Sequence, residues 1–66
     1  MPDAIPGAVY HDDVFDDRFT CNGTVERDDG ELYVVLEFDS ADDPVTVHLD
    51  LFREAESIEL IEHPSG

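Results

Sequence analysis

Sixty-six residues allow one domain with a modest core, and a single cysteine excludes an internal disulfide that would reinforce it. Eighteen acids against three arginines and no lysine set a formal charge of -15, which weighs against direct binding to a nucleic-acid backbone or an anionic lipid surface. The chain is nevertheless 41% hydrophobic, with its apolar residues grouped in strand-like runs, so it reads as a folded acidic domain and not as a disordered tail.

Residues 1–7, MPDAIPG, hold two prolines and a glycine and predict a flexible lead-in. One small β domain is expected over 8–63 and a frayed end over 64–66. The start lacks the basic residues and apolar core of a signal peptide, and no apolar run approaches the roughly 18–20 residues needed to span a bilayer. The cytoplasm is therefore the expected location. Residues 8–18, AVYHDDVFDDR, fit a short strand over Ala8 to His11. One helical turn capped by Asp12 or Asp13, or an irregular loop, follows it. Either way Phe15 is expected in the core.

Residues 19–39 form the strongest signal. Two segments suited to strands flank Asp28, Asp29 and Gly30, and Asp-Gly is a short-range hairpin signature. A two-residue loop at Asp29 and Gly30 would pair Arg27 with Leu32, Val25 with Val34, Gly23 with Leu36 and Cys21 with Phe38 on one face. Glu26 with Tyr33, Thr24 with Val35, Asn22 with Glu37 and Thr20 with Asp39 would fill the other. Gly23 interrupts the first strand and predicts a bulge, a bend or the close approach of another backbone. Pro44 can open a third strand, in which Val45, Val47 and Leu49 alternate with Thr46, His48 and Asp50. Asp50 can cap one helical turn over 51–56, with Leu51, Phe52 and Ala55 partly inside. Ser57 to Glu62 alternates again as a fourth strand. The predicted class is all-β, a small antiparallel meander curling into an SH3-like or partly open barrel with one short helical turn before the last strand. The rival is an α+β chain with a longer helix over 48–56.

No catalytic or cofactor pattern stands out. Cys21 falls on the apolar face and reads as a core thiol. His11, His48 and His63 are spread too widely for a local ligand set. Asp12, Asp13, Asp16 and Asp17, with Asp39, Asp42 and Asp43, offer oxygen ligands but lack the calcium-loop pattern, which leaves weak divalent-cation binding as one alternative. No cofactor is expected, and no enzyme activity. The interface candidates are Tyr33 and Val35, which lie on the face that should be polar, with Phe52 and Ile61 as neighbours and Arg27 as a scarce cation beside the turn.

The acidic, lysine-free composition resembles that of the cytoplasmic proteins of salt-accumulating haloarchaea, a resemblance of composition alone. At molar salt the Debye length falls to roughly 3 Å and the self-repulsion of such a coat is screened. The resemblance implies that the charge serves solubility in concentrated salt. The expected function is a non-enzymatic protein-interaction or accessory module, with a protein partner or a second copy in a homodimer. A small regulator associated with nucleic acid or its binding proteins is the other alternative.

Overall fold

The computed structural model describes residues 4–64. Five antiparallel strands share one sheet: β1 (Val9–Asp12), β2 (Asp17–Glu26), β3 (Leu32–Phe38), β4 (Val45–His48) and β5 (Ile58–Glu62). A single short helix, α1 (Leu49–Glu54), lies between β4 and β5. The strand order is β4-β3-β2-β1-β5. Chain-adjacent strands pair from β1 to β4, and the last strand returns to β1. The two edge strands do not pair with each other, so the sheet is not closed into a barrel. Besides the four strands expected after residue 18, the short strand that Ala8 to His11 suggested forms as β1 and pairs on both sides, with β2 and with β5. The longer helix of the α+β rival does not form.

The hairpin forms where expected but in another register. Its loop has three residues, 28–30. The Gly30 N–H donates to the Arg27 carbonyl at 2.9 Å and the Arg27 N–H to the Glu31 carbonyl at 3.0 Å. A two-residue loop of the favoured kind needs positive φ at both central residues. Here Gly30 has φ +80°, while among the described residues the only non-glycine with positive φ is Asp16. The loop is thus a turn followed by one left-handed glycine, the three-residue hairpin solution. Thr24 then faces Val34, Val25 faces Tyr33 and Glu26 faces Leu32.

That slip of one residue exchanges the faces. Val25, expected in the core, is exposed beside Tyr33. A bulge between Cys21 and Thr24 exchanges the faces back, so Cys21 pairs with Leu36 and Phe19 with Phe38. Gly23 makes the bulge possible, because its φ of +91° is open to glycine and costly for other residues. The Pro6 ring lies against it, 3.8 Å from where a Cβ would stand.

The core consists of Ala8, Tyr10, Phe19, Cys21, Val34, Leu36 and Phe52. Tyr10 stacks on Phe19 with centroids 5.3 Å apart, and Phe52 meets the Tyr10 ring edge-on at 5.4 Å. Cys21 is a buried free thiol. Helix α1 starts two residues before the expected turn and is capped by His48, not Asp50. The His48 Nδ1 accepts the Asp50 N–H at 3.1 Å, and Asp50 sits in the first turn, where its charge is favourable. Residues 4–7 of the expected lead-in are tied to the body. The Gly7 N–H donates to the Cys21 carbonyl at 2.7 Å and the Ile5 N–H to the Tyr10 hydroxyl at 3.1 Å. The rest of that lead-in, 1–3, and 65–66 of the expected frayed end lie outside the described residues. Among the described residues no helix is long and apolar enough to cross a membrane.

Candidate functional site

The open side of the sheet, along β4 and under α1, carries two adjoining apolar hollows. Their walls begin at the turn after β1. The Asp12 carboxylate is 7% exposed and accepts the Val14 N–H at 2.8 Å and the Phe15 N–H at 3.4 Å. These bonds bend the chain before any helix forms. The next corner is Asp16, at φ 52°, where a short polar side chain tolerates the left-handed region. The result turns Val14 and Phe15 outward, so Phe15 is 71% exposed and not a core residue. Its ring stands edge-on to Phe38 at 6.1 Å, beside the groove.

The opposite wall is β4 and α1. Val45 and Val47 pair with Leu36 and Val34 and project on the core face. Leu49 and Phe52 of the helix, and Ala55 at its C-terminal cap, follow one another at intervals of three and form the inward stripe. Phe52 is 1% exposed at the floor, whereas Leu51 lies off the stripe and is 65% exposed. Between these walls runs a groove with a volume of about 290 Å³ along Leu36, Val47 and Phe52. It continues past Phe15, Phe38 and Val45 into a second hollow of about 380 Å³ reaching Ala41. The loop after β3 is fastened in place there. The Ser40 hydroxyl donates to the Asp17 carboxylate and the Asp39 N–H to the Arg18 carbonyl. The Ser40 hydrogen bond holds the Asp17 carboxyl below its ordinary pKa of 3.8.

Beyond Phe38 and Ala41 the surface turns acidic. Glu37, Asp39, Asp42 and Asp43 line a neighbouring hollow of about 240 Å³ next to Pro44. No lysine, arginine or histidine lines any of these three hollows. The apolar and acidic hollows meet at Phe38 and Ala41, and Thr20 and Glu37, paired in the lining of the acidic one, turn it toward the opposite face of the sheet. Among the described residues no group of three or more histidine, cysteine, aspartate or glutamate side chains is placed to hold a metal ion.

The interface candidates from the sequence are only partly gathered. Tyr33 and Arg27 meet at the hairpin end, with the guanidinium 5.3 Å from the ring centroid. The Tyr33 hydroxyl donates to Asp29 at 2.7 Å, and His48 stands edge-on to the ring at 5.4 Å. The hydrogen bond from Tyr33 lowers the Asp29 pKa and, reciprocally, raises that of Tyr33 above 10.0. Tyr33 and Val35 are half-buried on the same face of β3. Phe52 lies in the core and offers no surface, while Ile61 is on β5, at the far edge of the sheet from β4. Of these five residues only Phe52 touches the groove. Its exposed residues were missed because Phe15 and Leu51, read singly, look like core. The available signal was the pair of aspartates on each side of Val14 and Phe15, which favours a turn over a buried segment. Comparison with protein-family models, with curated proteins and with solved structures gives no match.

Proposed function

We propose that the protein is a non-enzymatic protein-interaction module of a salt-adapted cytoplasm, and that it engages its partner through the groove beside β4. The curled sheet reads as an SH3-like, partly open barrel whose unclosed seam is that groove. One observation carries the reading. In a chain with a charge of -15, Phe15, Leu51 and Val45 expose 71%, 65% and 42% of their surface around a single concavity. Salt adaptation calls for carboxylates on the surface and gives no reason to leave a phenylalanine in water. Clustered apolar exposure rimmed by polar groups marks interaction sites.

The partner is another protein or a second copy of this chain. The test is capture from cell extract at about 2 M KCl, where screening matches the proposed environment. Wild type is compared with a Phe15→Ser, Leu51→Ser double variant, and sedimentation is run on both. A stoichiometric partner, or a dimer, that wild type holds and the folded variant loses supports the reading. Equal behaviour of the two proteins defeats it.

A further inference from the structure

We infer that the groove takes an extended segment of a partner protein, with alternating apolar side chains followed by arginine or lysine, which adds a strand to the free edge of β4. This inference rests on the interaction-module reading and specifies its occupant.

Three observations converge on that chemistry. First, β4 pairs with β3 on one side and, among the described residues, with no strand on the other. An edge of this kind is a template for an added strand. Second, the groove runs along β4, with Val45 and Val47 facing into it and Phe15 and Leu51 as its lips. Every second side chain of an added strand would enter it, since strand side chains alternate in direction. Third, Asp42 and Asp43 stand just before Pro44 and Val45, so the acidic hollow adjoins the N-terminal end of β4. A cation next to the apolar residues of the added segment would arrive at those carboxylates. Arginine suits them best, because its planar fork matches carboxylate geometry.

The same arrangement disfavours a second copy as the occupant. Arg18 is in β2, Arg27 lies over Tyr33 at the hairpin turn, and Arg53 is in α1. All three cations belong to the folded body, so the chain has no extended cationic segment to donate to itself.

The probe is a capped nonapeptide alternating valine and threonine with two arginines at one end, titrated into the ¹⁵N-labelled protein at about 2 M KCl, where only direct charge contacts survive screening. Two control peptides replace the arginines by glutamates or carry N-methyl groups on the pairing edge. The expected result is saturable amide shifts confined to 13–17, 41–47 and 51–55, slowed exchange of β4 amides, and binding at least about tenfold weaker for either control. An Asp42→Asn, Asp43→Asn variant should lose preference for the arginine peptide over the glutamate peptide. No saturable shift up to roughly 1 mM peptide, shifts mapping elsewhere, or equal binding of the controls overturns the inference. If the groove variants still abolish capture or dimerisation while the peptides fail, the module reading survives and only the occupant falls. If both experiments fail, both readings fall.

Discussion

Phe15 and Phe52 carry the same side chain in opposite surroundings, and truncating each to alanine separates groove from core. Phe52 is 1% exposed, contacts the Tyr10 and Phe19 rings, and is the only fully buried residue of α1. Removing a buried phenylalanine costs about 3–5 kcal/mol in transfer and cavity terms. At roughly 0.05–0.15 kcal/mol per residue, a chain of this length has only about 3–10 kcal/mol in all. Phe52→Ala should therefore remove about a third or more of the stability and release α1. Phe15 is 71% exposed, and its edge contact with Phe38 is its one ring partner. Such a pair is worth about 0.5–1.5 kcal/mol, and Phe15→Ala should cost about that much. Urea unfolding at constant high salt, followed by far-ultraviolet circular dichroism, reads both. With a slope near 1 kcal/mol per molar urea for so small a chain, the midpoints should fall by about 3 M or more and by about 0.5–1.5 M. Equal losses would place Phe15 in the core, remove the exposed lip of the groove, and refute the reasoning behind the proposed function.

Gly30→Ala should cost about 1–2 kcal/mol through its left-handed backbone alone, since nothing lies within 4 Å of the added Cβ; a loss near zero in the same urea assay would contradict the three-residue loop. Gly23→Ala should cost more, because φ +91° there sustains the bulge that restores the core register; loss of hydrogen-exchange protection across β2 is the accompanying readout. Tyr33→Phe should bring the Asp29 carboxyl, followed by ¹³C titration, back up toward 3.8, because the Tyr33 hydrogen bond is the main cause of its depression. The sign follows from the depressed folded value. Asp29 contributes stability above pH 3.8 and loses it as pH falls through its lower folded pKa, so wild type and variant converge in acid. At the alkaline end Tyr33, raised above 10.0, favours the fold below that pH and ceases to do so as pH rises through its own folded value. An unchanged Asp29 midpoint in the variant would mean that the hydrogen bond does not form in solution.

The core face of the sheet was legible although its register was not, and the reason is parity. The assumed two-residue loop puts pairing off by one residue near the turn, and the bulge at Gly23 adds a second shift of one. Two single shifts restore the face, so Phe19, Cys21, Val34 and Leu36 are buried as alternation alone predicts. Only the residues between the two shifts change sides, which is why Val25 lies outside. Asp-Gly is compatible with both loop lengths, and the choice depends on whether Asp29 takes positive φ, a matter of how the strands twist and not of local composition.

The groove was less legible because it depends on what fails to be covered. Val14, Phe15 and Leu51 are as hydrophobic as any core residue, and a period-based reading assigns them inward. Asp12 decides the first two by accepting the N–H groups of Val14 and Phe15, which fixes a turn where a strand or helix would have buried them. Helix length decides the third. A helix of six residues has one inward stripe, Leu49 and Phe52 continued by Ala55, and Leu51 stands about 100° away from Phe52 around the axis. Among the described residues no further strand pairs with the outer side of β4. Together these local outcomes gather three exposed apolar residues, Phe15, Val45 and Leu51, beside the edge that the sheet leaves unpaired, while Val14, Val25, Leu32 and Ile61 are exposed outside the groove. Apolar residues exposed singly need no explanation, whereas several around one concavity do. The coincidence of that concavity with a free edge and neighbouring carboxylates is what supports the proposed reading of the seam as a binding site.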